Sequence, residues 1–317
     1  RLWQDAVKET ENRDVKTISD LTAAYYEHCK VYYQNSREAS NIKYALDFLE
    51  NNTDVTYAQD IDSLALQALR DKMIKTGWTR SVINKRVAML KRLFKWGASQ
   101  KLVPITAYQS IATLEHLQAG RSKAKESEKV KPVPEQVVYQ TLSYMSPVGR
   151  AMVELQLLTG MRSTELCTMR PVDIETSGKV WIYRPQTHKT AYRGHNRLIY
   201  LGPKAQRILK PFLKRTVNEY CFTPKEGYSK NGDFRPCYDR NSYRRMIKHA
   251  ITKANKNGSK IPHWHPHQLR HTAGTKIRKQ LGRDAARAFL GHRNPSVTDD
   301  YAEIDIALGE KAAGLLG

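Results

Sequence analysis

The chain has 317 residues and 40% hydrophobic content, enough for two domains that each bury a core. No apolar run approaches the roughly 20 residues of a membrane span, and the start is not signal-like. A formal charge of +22 at pH 7 points to a polyanionic partner, nucleic acid before anionic membrane, because no basic amphipathic tail is present. Residues 1–120 carry 17 Lys and Arg against 14 Asp and Glu, leaving 36 against 17 further on, so most of the attraction for phosphate lies in the C-terminal two thirds. Cys29, Cys167, Cys221 and Cys237 form no Cys-x-x-Cys pair, which reads as free thiols in a reducing cytosol. The chain opens on Arg1 rather than Met, so a preceding segment is expected.

Residues 17–118 read as helices throughout. The first, 17–33, opens on a capping signature, Thr17-Ile18-Ser19-Asp20, and sets Leu21, Ala24, Tyr25 and Cys29 on one face. Helices over 40–51 and 61–75 repeat the pattern, the latter through Leu64, Leu66, Leu69 and Met73. A fourth, 80–99, aligns Ile83, Val87, Leu90 and Phe94 at intervals of three and four. Its other face carries Lys85, Lys91, Arg92 and Lys95, either plainly solvated or in contact with phosphates. The stretch 115–133 loses apolar periodicity and fills with Lys, Ser and Glu, as an interdomain linker would. The expected organisation is a helical domain over 1–118, a linker over 119–133 and a second domain over 134–317.

In that second domain, 137–145 and 148–159 are apolar enough for core helices. Residues 180–183 and 197–201 read as strands flanking a polar, basic hairpin at 185–196. A helix over 204–214, an irregular stretch over 222–240 and a basic amphipathic helix over 241–255 follow. Helices over 271–279, 283–290 and from 296 to about 313 complete the chain, the last two separated by Pro295. The fold class is mainly α with a small antiparallel β-sheet (α+β).

Four stretches of the second domain carry chemistry. LLTGMRSTEL (157–166) presents Arg162 just after Gly160, and THKT (187–190) puts Lys189 on the hairpin. HPHQLRHT (265–272) spaces His267 and Arg270 by one helical turn. LGHRNPSVTDDY (290–301) supplies His292 and, nine residues on, Tyr301. Singly, each has an ordinary reading: surface arginine, solvated lysine, packed tyrosine. Together they amount to a clamp of two guanidiniums, an ammonium, two imidazoles and a phenol. No clustered carboxylates suggest magnesium, and Pro262 and Pro266 interrupt the alternation of His263, His265 and His267 that a zinc-binding strand would need. Phosphoryl transfer needs charge stabilisation on the non-bridging oxygens and a proton for the leaving oxygen. Two arginines offer the first; a lysine or histidine offers the second. The phenol, with an ordinary pKa of about 10, needs a base or a positive environment, and His267 is a candidate base.

These stretches resemble the tyrosine recombinases, the phage-integrase family. That family's pattern is an Arg in a T-G-x-R-x-x-E-L box, a hairpin Lys, H-x-L-R, and L-G-H followed by T-x-x-Y. All occur here in order, over about residues 150–310. Met169 stands where the first box often has Leu, and the 222–262 connection is long. The N-terminal region is similar to the family's core-binding domain in general character. The resemblance implies a catalytic set of Arg162, Lys189, His267, Arg270, His292 and Tyr301, with Glu165 in support. In it Tyr301 attacks a DNA phosphodiester, forms a 3′-phosphotyrosyl link and expels a 5′-hydroxyl. Arg162, Arg270 and His292 stabilise the phosphate, His267 assists deprotonation of Tyr301, and Lys189 protonates the leaving oxygen. No metal or other cofactor is called for. The implied partners are double-stranded DNA, a homotetramer on paired sites and accessory DNA-bending proteins, in a cytoplasmic protein of mobile-element type, with no membrane.

Two rival readings exist. A type IB topoisomerase uses a similar constellation, but the spacing of L-G-H and T-x-x-Y favours the recombinase. A non-catalytic DNA-binding descendant would have no chemical need for all six side chains. Beyond Tyr301, Ile304, Ile306, Leu308, Leu315 and Leu316 make an apolar segment expected to pack either on its own core or on a neighbouring protomer.

Overall fold

The computed structural model describes residues 16–34, 37–128, 130–186, 197–213, 219–224, 236–291 and 301–316, the last with side chains from residue 309 onward. It divides into two compact units, residues 1–129 and 130–317.

Among the described residues, the first unit is built from five α-helices: α1 (Ile18–Tyr32), α2 (Glu38–Asn52), α3 (Ser63–Lys75), α4 (Arg80–Ser99) and α5 (Ile105–Ala112). The expected cap is present. The Asp20 N–H donates to Thr17 Oγ1 at 3.1 Å, and the Thr17 N–H donates back to Asp20 Oδ2 at 3.0 Å, satisfying two amides that the first turn leaves open. The stripe Ile83, Val87, Leu90 and Phe94 of α4 is buried throughout and forms the spine against which α1, α2 and α3 pack. Leu64 departs from expectation, lying 71% exposed while Leu66, Leu69 and Met73 are buried. The latter three keep spacings of three and four, whereas a residue two before Leu66 is turned to the opposite side.

The stretch read as a linker is fastened to the start of α4. The Arg80 N–H donates to Lys125 O at 2.7 Å, Arg80 Nε pairs with Glu126 at 2.6 Å, and Asn84 exchanges two hydrogen bonds with the Leu117 backbone. Fixed amide pairing therefore replaces the apolar periodicity that the stretch lacks.

The second unit carries α6 (Glu135–Leu142), α7 (Pro147–Thr159), α8 (Ser163–Cys167), α9 (Pro203–Leu209), α10 (Arg240–Lys256), α11 (Pro266–Leu290) and α12 (Tyr301–Leu316). Its sheet has three antiparallel strands in the order β1 (Ile174–Glu175), β2 (Trp181–Tyr183) and β3 (Ile199–Leu201). Ile182 lies opposite Tyr200 and, on its other side, Glu175. The first strand was not expected, because two residues are too short to display alternation. The two helices expected over 271–279 and 283–290 are present as the two halves of α11, separated by the non-helical Gly282 (φ 90°, ψ −177°), with the first half starting earlier than expected, at Pro266. Trp264 anchors its entry, 1% exposed, with Nε1 donating to Thr141 Oγ1 at 3.1 Å. No described helix is long and apolar enough to cross a membrane.

The last turns of α12 lie on the same chain's α11. Ala312, Ala313 and Leu316 are buried in a cluster with Tyr200, Ala273, Ile277, Phe289 and Leu290, while Leu315 is 49% exposed. Ile304, Ile306 and Leu308 have side chains outside the described residues. Leu316→Ala is expected to lower the unfolding free energy by about 2–3 kcal/mol, measured by chemical denaturation; a change within experimental error would mean that this end of α12 is not seated on α11 in solution.

Candidate active site

Three chain reversals of the second unit meet at one place. The first ends α7 at Gly160, whose φ of 61° is left-handed and whose added Cβ would lie 2.7 Å from Leu290 Cδ2. Glycine alone meets both demands. Gln156 Nε2 donates to Met161 O at 3.0 Å and pins the exit from the turn. The chain then enters α8 with Arg162 as its N-cap. The Arg162 N–H donates to Glu165 Oε2 at 2.7 Å, and Arg162 Nη1 donates to Oε1 at 2.7 Å. One carboxylate thus closes the start of α8 and holds the guanidinium. From below, Tyr183 of β2 donates its hydroxyl to Glu165 O at 2.8 Å.

The second reversal leads into β3 and brings in Arg197, a residue that sequence reasoning did not single out. Its Nε donates to Glu165 Oε1 at 3.4 Å and its Nη1 to Leu198 O at 2.9 Å. Burial by itself would raise the Glu165 carboxyl. Arg197, then the Arg162 N–H and guanidinium, outweigh that and hold it below its ordinary value. The pairing spans 32 positions of chain, and no local spacing announces it.

The third reversal follows α11. Arg270, in its second turn and 4% exposed, donates Nη1 to Gly160 O at 2.6 Å and Nη2 to Leu290 O at 2.7 Å. It therefore joins the end of α7 to the end of α11, where Gly291 again turns left-handed (φ 63°). Burial, then the charges of Arg197 and Arg162, bring Arg270 down to about 9, so it keeps its proton at neutral pH. Three guanidiniums around one carboxylate leave a surplus of positive charge in a poorly hydrated place, a setting in which an anion is bound far more strongly than in water.

His267 stands one turn ahead of Arg270, its ring perpendicular to that of His271 with centroids 4.9 Å apart. Burial, then the neighbouring His271 and Arg270, lowers it from the usual imidazole value. The neutral ring, able to accept a proton, is favoured at neutral pH. The structure therefore brings together Arg162, His267 and Arg270 of the expected catalytic set, with Glu165. Lys189 and His292 lie outside the described residues, and of Tyr301 only the backbone is described, as the first residue of α12. Among the described residues no group of three or more His, Cys, Asp or Glu is placed to hold a metal ion.

In the first unit, the basic face of α4 is divided. Lys85 and Lys95 are exposed. Arg92 pairs with Glu38 at 3.2 Å, and Lys85 approaches the same carboxylate at 4.0 Å. Lys91 donates to the carbonyls of Ala112 and Leu114, closing the end of α5 in the manner of a C-terminal cap.

The model of the phage integrase family matches residues 134–307. The tyrosine recombinase XerC of Bacillus subtilis (strain 168) is 23% identical over 307 residues, covering 92% of this chain and 93% of the relative. That of Bacillus pumilus is 26% identical over 238 residues, 72% of each. Among solved structures, a lambda integrase tetramer bound to a Holliday junction superposes with a TM-score of 0.68 at 16% identity, covering 93% of this chain and 82% of that one. The Tn1549 transposon integrase in complex with a circular intermediate DNA gives 0.63 at 16% identity, covering 92% and 98%. The likeness to these structures is one of fold.

Proposed function

The chain belongs to the phage integrase family and is a site-specific tyrosine recombinase, and from that premise we propose that Tyr301 cuts and rejoins duplex DNA through a 3′-phosphotyrosyl intermediate. The observation that carries this reading is the convergence of Arg162, Arg197 and Arg270 around Glu165, with His267 one turn from Arg270. Such a centre fits a single phosphodiester whose charge grows as a fifth oxygen approaches phosphorus.

In the reaction, the Tyr301 Oη–phosphorus bond forms while the phosphorus–O5′ bond breaks. The phenolic proton passes to His267, favoured in its neutral form, and Lys189 supplies the proton that the O5′ leaving group takes up. Arg162, Arg270 and His292 meet the charge on the non-bridging oxygens. The ester keeps the energy of the broken bond, so the 5′-hydroxyl can attack it in turn and no nucleotide is consumed. Guanidiniums and side-chain acids perform the tasks a metal ion would perform elsewhere.

The test is to incubate the protein with nicked duplexes of randomised sequence and isolate denaturant-resistant adducts. Recovery of one sequence class, joined to protein through a 3′ phosphate, is the expected result; the absence of any adduct would leave only DNA binding. On the recovered site, Lys189→Ala should slow cleavage by about 10²–10³-fold. Most of that loss should vanish when sulfur replaces the bridging 5′ oxygen, since a thiolate leaves without a proton. A loss of the same size on the sulfur substrate would remove Lys189 from the acid role.

The finer assignments extend the same reading. The lambda integrase tetramer on a Holliday junction supports a homotetramer on paired sites, with accessory DNA-bending proteins aligning the arms. Lys85 and Lys95 of α4, exposed and basic, serve as phosphate contacts, with Arg92 and Lys91 held nearer the protein. The protein acts in the cytoplasm, on the DNA of a mobile element.

A further inference from the structure

Arg162 and Arg197 share the carboxylate of Glu165, but they stand differently toward solvent. The side chain of Arg162 is 28% exposed and that of Arg197 only 5%. Arg162 therefore opens toward an arriving ligand, and Arg197 sits behind the carboxylate. Arg197 also underlies the turn ahead of His292, for a Cβ at residue 291 would fall 2.2 Å from Arg197 Nη1. Among the described residues its buried Nη2 has no hydrogen-bond partner. A buried guanidinium whose donors are only partly met is a poor device for stability alone, since an apolar side chain of similar volume would fill the place at lower cost.

We infer that Arg197 is a positioning residue that takes up the charge of Glu165 and so leaves the Arg162 guanidinium available to the scissile phosphate. The inference rests on the recombinase reading above. Without Arg197, a buried carboxylate would have Arg162 as its main counter-charge. An approaching phosphate would then compete with Glu165 for one guanidinium and feel a less positive site. With Arg197 present, Glu165 still orients Arg162 through two hydrogen bonds but does not cancel it. The same guanidinium lies against the Gly291 turn, so Arg197 meets both the Glu165 carboxylate and the end of α11.

The test uses the duplex recovered by adduct selection, made with either an ordinary phosphodiester or a methylphosphonate at the scissile link. The methylphosphonate has no negative charge, so charge balance in the site matters less to it. R197Q is expected to slow adduct formation by about 10- to 100-fold on the phosphodiester and by only a few-fold on the methylphosphonate. R197Q/E165Q, with the carboxylate charge also removed, should be faster than R197Q on the phosphodiester. R197K brings an ammonium to Glu165 without the guanidinium fork and should fall between the parent and R197Q on the phosphodiester, while R197Q/E165Q, which leaves no buried carboxylate without its partner, keeps the question decidable if R197Q does not fold. Equal losses on the two linkages, an unchanged rate for R197Q on the phosphodiester, or R197Q/E165Q no faster than R197Q would each overturn the inference. A parent protein that forms no adduct with any duplex would instead overturn the recombinase chemistry, so the two failures are distinct.

Discussion

Tyr301→Phe is expected to abolish the covalent protein–DNA adduct and to leave DNA affinity within about twofold of the parent. The substitution removes one oxygen and almost no volume, so the start of α12 at residue 301 has no steric cause to change. A phosphotyrosyl enzyme has no chemical route without that oxygen, because the water that remains near the site would hydrolyse rather than conserve the bond. The measurement is paired: labelled DNA retained by protein under denaturing conditions for the adduct, and a mobility shift under native conditions for binding. An adduct of parental yield in the Phe variant would move the nucleophile to another side chain. Loss of binding and adduct together would mean that the hydroxyl serves the fold.

Arg270→Lys is expected to reduce cleavage by about 10²–10³-fold at neutral pH, although on paper it conserves charge. The planar guanidinium donates to Gly160 O at 2.6 Å and to Leu290 O at 2.7 Å through two different nitrogens. An ammonium on a single stem cannot reproduce that fork, and a buried carbonyl left without a donor costs about 1–3 kcal/mol. Protonation adds to the deficit. The surroundings that bring Arg270 down to about 9 act on a lysine that begins about two units lower, so much of it would be neutral at pH 7. The sign follows directly: lowering the pH restores the charge, and the variant's single-turnover rate relative to the parent should rise from pH 8 to pH 6. A relative rate that is flat over this range would show that geometry alone, and not lost charge, limits the variant.

Local physics made much of this legible from sequence. The α4 stripe and the Thr17 cap follow from interactions within one or two turns, and both lie where the spacing put them. Of the stretches that the family resemblance singled out, Arg162, His267 and Arg270 come together beside Glu165, while Lys189, His292 and the Tyr301 side chain lie outside the described residues. Leu64 misled because apolar character was allowed to outweigh angular position. Lys91 looked like a solvent-facing charge, but its partners are carbonyls about twenty positions further along. Arg197 was hidden most fully. It adjoins a basic stretch of sequence in which another arginine attracts no notice, and its meaning depends on a carboxylate at residue 165 and a turn at residue 291 that only the packed unit brings near.

The return of the chain across the Gly282 break, between the two halves of α11, has a consequence for how such a protein can vary. Arg270 near its beginning and Leu290 at its end are joined directly by a hydrogen bond, so the residues between them act as a folded ruler. Side chains facing water along its length can be exchanged freely, but the number of residues cannot: one more or one fewer in the first half would rotate all that follows by about 100°. Drift within this segment should therefore take the form of replacement, with insertions and deletions confined to loops outside it.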